Sequence, residues 1–209
     1  MWNPTENKIT IIMIRHGETP SNKEHRYLGR TDESLSVEGI QKLQKRKNDN
    51  YYPSVDYVFS SPMKRCVETA QILYPNGEAV IIPEWKEMDF GEFEKKNYME
   101  LQGDERYQAW IDSNGTLPFP NGESREEFVE RCKNGFYCMI NKIRDFEDKN
   151  GSRDIRIALI VHGGTIMSLL SSFYGGEYFD YQVPNGRGYL CKLEEVQGEN
   201  IRLVDIEKF

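Results

Sequence analysis

The 209-residue chain contains only three histidines, and it is short of basic charge. Its 27 Lys and Arg against 34 Asp and Glu leave a net charge of −7, without the basic footprint that nucleic acid or an anionic membrane surface requires. No apolar run approaches the roughly 20 residues of a membrane-spanning helix. The segment Met1-Trp2-Asn3-Pro4-Thr5-Glu6 has no basic stretch leading into an apolar one, so no signal peptide is expected and the chain reads as cytoplasmic. Its four cysteines (Cys66, Cys132, Cys138 and Cys191) form no CxxC pair. Cys132 and Cys138 fall on different faces of an expected helix, so buried reduced thiols are expected rather than a disulfide or a metal site. Repeats and low-complexity tracts are absent. With 38% hydrophobic and 29% charged residues, the chain has ordinary globular composition at a length that suits one α/β domain.

What is present is a pair of matching strand ends. Ile9-Thr10-Ile11-Ile12-Met13-Ile14 runs into Arg15-His16-Gly17-Glu18-Thr19, and Ile155-Arg156-Ile157-Ala158-Leu159-Ile160-Val161 runs into His162-Gly163-Gly164. Near-continuous β-branched runs read as strands buried on both faces of a parallel sheet. Ligands of such sheets bind outside the carboxyl ends of the strands, where both histidines would sit.

Further elements alternate between strand and helix. Ser36 caps an expected helix from about Val37 to Asn48, and Val55–Phe59 reads as a strand. Ser61 and Pro62 read as the cap and first turn of the next helix, and 79–82 as a short strand stopped by Pro83. Residues 84–124 are rich in Gly, Pro and charge and read as an insertion over the site, with a helix near 98–111. In that helix Tyr98, Tyr107 and Trp110 are expected in the core. Ser124-Arg125-Glu126-Glu127 is a capping box that opens the longest helix, to about Asp148. A helix over 165–173 follows, and two strands near 188–193 and 201–206 close the chain around Gly198. The alternation predicts a three-layer α/β/α sandwich with a mainly parallel sheet.

Four segments carry chemistry. Arg15-His16-Gly17 joins a permanent cation to an imidazole, and Arg65 lies in the first turn of a helix whose N-terminus itself favours anions. Glu84 to Gly91 supplies carboxylates after a strand, and His162 supplies a second imidazole. Arginine forks match phosphate oxygens, and an imidazole flanked by cations stays unprotonated and nucleophilic. A partly buried carboxyl can protonate the leaving oxygen. The chemistry indicated is phosphoryl transfer through a phosphohistidine.

Arg15-His16-Gly17-Glu18-Thr19 with Asn22, Ser60-Ser61-Pro62-Met63-Lys64-Arg65, Glu87-x-x-x-Gly91 and His162-Gly163, in that order, resemble the phosphoglycerate-mutase-like histidine phosphatase superfamily over about residues 8–193. The resemblance implies a phosphoglycerate-mutase-like fold and His16 as the phosphorylated residue. It implies Arg15, Arg65 and His162 as phosphate-binding cations, Asn22 and Gly163 in the phosphate pocket, and Glu87 as general acid and base. Arg26 and Arg30, in the loop after His16, are candidates to touch the rest of the substrate, and His25 is expected at the surface. It also implies a small phosphorylated metabolite as substrate and neither metal nor cofactor. The segments Glu87–Glu94 and Phe119–Ser124 are similar to the α-ribazole and broad-specificity phosphatase branch. Lys95 and Phe93 depart from that branch, which often has glycine and tryptophan there. A phosphoglycerate mutase is the alternative expectation, and a phosphate-binding module without catalysis a remoter one. The sequence shows no interface patch from which to read an oligomeric state.

Overall fold

The computed structural model describes residues 9–150, 154–196 and 200–209. The expectations about the N-terminal segment and Gly198 lie outside them. Six strands form one sheet: β1 (Ile9–Arg15), β2 (Tyr57–Ser60), β3 (Val80–Ile81), β4 (Ile155–Val161), β5 (Gly188–Val196) and β6 (Asn200–Lys208), in the order β3-β2-β4-β1-β5-β6. The pairings from β3 through β1 are parallel, and β5 and β6 add antiparallel strands at one edge. The sheet is therefore mixed, with its parallel half where the helical crossovers lie.

Alternate side chains of the central strands enter two cores. Ile12, Ile14, Ala158 and Ile160 pack with Leu43 of α2 (Val37–Asn48) and with Cys66, Ala70 and Leu73 of α3 (Lys64–Leu73). On the other face Ile11, Met13, Ile157, Leu159 and Val161 meet α5 (Arg125–Asn150) through Phe128, Phe136, Met139 and Ile140, and α6 (Gly163–Phe173) through Ile166, Leu169 and Leu170. This is a three-layer α/β/α fold. Each fully buried aliphatic side chain contributes about 1.5–3 kcal/mol, so the central strands anchor the sheet.

Local chemistry accounts for most boundaries. Ser36 Oγ accepts from Gly39 N at 3.0 Å, and the Ser124–Glu127 capping box closes in both directions. The second helix start differs from expectation. Its N-cap is Met63, with no side-chain cap bond, while Ser61 Oγ accepts from Met63 N at 3.3 Å and lies 2.8 Å from His162 Nε2. The helix expected near 98–111 is shorter, α4 (Glu105–Asp112), capped by Asp104. Asn97 Oδ1 turns the preceding chain by accepting from Met99 N and Glu100 N, and Gly103 has φ +87°. The four cysteines are free, and burial pushes the Cys66, Cys132 and Cys191 thiols up to about 12. Among the described residues no helix is long and apolar enough to cross a membrane.

Candidate active site

Strand register creates the centre. β1 and β4 pair one-for-one from Ile9↔Ile155 to Arg15↔Val161, so His16 and His162 leave the sheet side by side. His16 N donates to Val161 O at 2.9 Å, and the two imidazole centroids lie 5.2 Å apart at 65°. His16 is 3% exposed. Its Nδ1 lies 2.7 Å from Gly17 O, which can only accept, so Nδ1 carries the proton and Nε2 keeps its lone pair. Burial, then the charges of Arg65 and Arg15, hold His16 well below its ordinary range, with the Gly17 bond opposing.

The segments around this ring are tied down from three directions. Gly17 N donates to Thr69 Oγ1 on α3. Asn185 Nδ2 donates to His16 O (3.1 Å), Gly17 O (3.3 Å) and Asn22 Oδ1 (3.0 Å). Gly186 N donates to Arg15 O and His16 O. Asn22 lies in α1 (Pro20–Lys23), where its Oδ1 also accepts from Thr19 N in a capping box. Asn185 was not singled out from the sequence. Its one sequence signal is the turn tripeptide Pro184-Asn185-Gly186 before β5.

Arg65 is fully buried. Its guanidinium donates to Thr31 O (3.0 Å) and Gly29 O (2.9 Å), and its Nε donates to His162 Nδ1 (3.3 Å). It therefore ties the loop after His16 to the second imidazole. The resemblance implies His162 among the phosphate-binding cations. Burial and the charges of Arg65, His16 and Arg15 hold His162 well below its ordinary range. Its Nδ1 accepts from Arg65, so Nε2–H donates to Ser61 Oγ, and the ring is neutral with both nitrogens engaged.

Glu87 is buried, and its Oε1 and Oε2 accept from Met88 N (2.9 Å) and Gly164 N (3.4 Å). Burial raises its carboxyl above the ordinary value, although those bonds and Arg65 and Arg15 pull the other way. Gly164 is required here because a Cβ would stand 2.5 Å from Glu87 Oε1.

A cavity of about 560 Å³ opens beside these groups. Arg15, Glu87 and Gly163 line it, while His16, Arg65, His162 and Asn22 are packed outside its lining. Arg15 Nη1 donates to Val183 O at 2.8 Å, and among the described residues its buried Nε has no hydrogen-bond partner. The structure does not bring Arg26 or Arg30 to the cavity. Arg26 pairs with Glu24 and Glu100, and Arg30 lies 3.8 Å from Glu123. His25 is exposed as expected. Tyr98 is 60% exposed rather than in the core as expected, whereas Tyr107 and Trp110 pack against the core as half-buried rings, and Trp110 also lines the cavity. Periodicity showed that α4 has an aromatic face but not what that face meets.

Residues 11–204 match the family model of the histidine phosphatase superfamily, branch 1. The adenosylcobalamin/alpha-ribazole phosphatase of Escherichia coli K12 is 28% identical over 172 residues, covering 80% of each chain. A probable phosphoglycerate mutase of Enterobacter sp. 638 is 26% identical over 171 residues, covering 80% of this chain and 75% of its own. Among solved structures, a putative alpha-ribazole-5'-P phosphatase from Escherichia coli K-12 superposes with a TM-score of 0.75 at 25% identity, over 94% of both chains.

Proposed function

The chain belongs to branch 1 of the histidine phosphatase superfamily, and from that membership we propose that it is a metal-independent phosphomonoesterase acting on a small phosphorylated metabolite. The observation that carries this reading is the proton arrangement. A neutral imidazole keeps its Nε2 lone pair at His16, and a carboxyl raised toward its protonated form faces the adjoining cavity at Glu87.

In the first step His16 Nε2 attacks phosphorus and the bond from phosphorus to the ester oxygen breaks. Glu87 gives its proton to that oxygen, so the alcohol leaves neutral. In the second step Glu87 carboxylate takes a proton from water as the water oxygen attacks the phosphohistidine. The N–P bond breaks, and inorganic phosphate and neutral His16 result. Arg15 supplies the guanidinium at the cavity, and its Nε donor suits a phosphoryl oxygen. Arg65 acts through its charge and through the loop it holds. His162 enters as a neutral neighbour that fixes the space beside His16.

Transfer back to a sugar acid, as in a mutase, is the second reading, and the charge distribution disfavours it. A phosphorylated acid needs cations for its carboxylate. Beyond Arg15, Arg125 is the one cation among the described residues lining the cavity, and Arg26 and Arg30 are turned to carboxylates elsewhere.

The test is phosphate release from a panel of metabolite and aryl monophosphates in chelator, with His16→Ala as control. Release that persists in chelator and disappears in the variant is expected. No release, together with turnover of 3-phosphoglycerate in the presence of its bisphosphate primer, would replace the phosphatase with a mutase.

A further inference from the structure

Residues 84–89 carry Glu87, and an ion pair outside the cavity lining holds them against α5. Arg131 Nε and Nη2 donate to Glu123 Oε1 and Oε2, both at 2.8 Å, in a largely buried bidentate pair. The other donors of the guanidinium go to backbone: Nη1 to Glu84 O and to Lys86 O (2.8 Å), and Nη2 to Glu87 O (3.4 Å). Those bonds use the full donor set of an arginine. Glu123 grips the far end of the same segment, where its Oε2 accepts from Asp89 N at 3.2 Å and its own N donates to Asp89 O at 2.9 Å. The guanidinium also lies 5.0 Å from the centroid of the buried Phe128 ring. A Cβ on Gly164 would stand 2.8 Å from Phe128 Cε1, so this turn of α5 also abuts the second backbone donor to Glu87.

One peptide unit links the ion pair to the acid. The carbonyl of the Glu87–Met88 peptide accepts from Arg131, and the N–H of that same peptide donates to Glu87 Oε1 at 2.9 Å. A guanidinium on the oxygen of a planar peptide fixes its plane and polarises its N–H. The carboxyl therefore takes its orientation from the pair. We propose that Arg131, aligned by Glu123, is a positioning residue for Glu87, aiming its carboxyl at the leaving oxygen through the Glu87–Met88 peptide. The consequence for catalysis rests on the phosphatase reading, whereas the positioning itself is measurable without turnover. An acid displaced by about 1 Å can lose about 100-fold in rate. That loss falls on alkyl esters, whose leaving oxygen needs the proton, and spares esters of acidic phenols.

The experiment reads a substrate ratio, kcat/KM for 4-nitrophenyl phosphate over kcat/KM for propyl phosphate. Arg131→Ala should raise it about tenfold, slowing the propyl ester about 30-fold and the nitrophenyl ester about threefold. Glu123→Gln keeps the size of the side chain but loses one acceptor oxygen, and should raise the ratio about threefold. It also carries the test if Arg131→Ala does not fold. In a Glu87→Gln background neither substitution should move the ratio further, because the proton to be aimed is gone. Amide exchange by NMR is followed alongside. Met88 N and Gly164 N, the donors to the Glu87 carboxyl, should exchange at least about tenfold faster in each variant, while Gly17 N, bound to Thr69 Oγ1, keeps its wild-type rate. Turnover with an unchanged ratio in folded variants, or a shift of full size in the Glu87→Gln background, would overturn the positioning role and leave the phosphatase standing. No turnover by the wild type, with exchange still faster at Met88 and Gly164, would overturn the phosphatase and keep the positioning. Unchanged exchange at both amides would overturn the positioning whatever the turnover.

Discussion

Around His16 position is set by backbone, whereas the cavity beyond Arg15 and Glu87 is shaped by side chains. The first region is the meeting of two strands in strict register, with Gly17, Gly186 and Asn185 holding the chain where it leaves the sheet. The second is drawn from residues 84–124 and the turn after α6, whose rings touch one another more than they touch the sheet. Hydrogen-bonded strand ends tolerate little displacement, while ring packing can be rebuilt by substitution. On the proposed function, the contrast separates the chemistry, set at the sheet, from the choice of leaving group, set by the loops.

Removing the proposed nucleophile should give the largest effect. His16→Ala is expected to lower phosphate release by at least about 10,000-fold on every substrate, as loss of a nucleophile does elsewhere. Retention of a tenth of the activity would place the nucleophile outside the strand ends. Glu87→Gln should slow alkyl phosphates by about 100- to 1,000-fold and aryl phosphates much less, since phenols need little help from an acid. An equal loss on both would make Glu87 a structural carboxyl. The wild-type pH profile should fall in acid as His16 gains its proton, at a pH below the ordinary histidine value. It should fall in base as Glu87 loses its proton, above the ordinary carboxylate value. The basic limb should vanish in Glu87→Gln.

Asn185→Ala sharpens the comparison from the loop side. It removes the amide that holds His16 O, Gly17 O and Asn22 Oδ1, and Gly17 O is the acceptor that orients the His16 ring. We expect kcat to fall about tenfold with KM little changed, because the loss falls on alignment in the transition state. Rapid-quench formation of the phosphoenzyme should slow by the same factor. A rise in KM with unchanged phosphoenzyme formation would reassign Asn185 to substrate binding.

The strand ends were legible in sequence because buried parallel strands have a continuous apolar signature and the residues after them are polar and few. His16 and Arg15 could be named for that reason, whereas Glu87 stands out among its neighbouring carboxylates only through the family resemblance. The roles of Arg65 and His162 were less legible: the sequence does not show that Arg65 donates to Gly29 and Thr31 carbonyls, or that burial, and then the Arg65 charge, lowers the proton affinity of His162. Ser61 read as a helix cap because Ser-Pro often is one, but the helix starts two residues later than that, and the Ser61 hydroxyl meets both Met63 N and a buried imidazole. The cavity wall was illegible. Trp110 lies on the short helix α4, Phe119 in a loop and Phe179 in a 3-10 turn, and nothing in their spacing shows that Trp110 and Phe179 meet at Gly115.

The pH dependence of stability tests the buried charge of the first region. His16 and His162 bind protons more weakly folded than unfolded. The unfolded state therefore takes up more protons, and stability rises with pH between their lowered values and about 6.5 by up to about 1.4 kcal/mol per pH unit for each. Glu87 has the opposite sign. Its raised carboxyl holds its proton longer in the folded state, so stability falls as pH rises from about 4.5 toward its folded value. Urea titrations from pH 5 to 7 should show a net rise, steeper in Glu87→Gln. A flat profile in both proteins would mean that the imidazoles are not buried neutral.

The smallest expected effect lies at Lys95, where the branch it resembles often has glycine. Lys95 has φ +61°, in the left-handed region that a side chain enters at a cost of about 1 kcal/mol. The conformation is held because Lys95 N donates to Tyr27 O and Arg26 donates to Lys95 O, which joins the loop after His16 to residues 84–124. Lys95→Gly keeps both bonds, relieves the strain and frees the unfolded chain, so a net gain of about 0.5 kcal/mol is expected from opposing terms. Differential scanning calorimetry reads it directly, and the substrate ratio should not move. A lowered melting temperature would mean that the lysine side chain itself stabilises this junction, and a changed ratio that the junction shapes the aromatic wall.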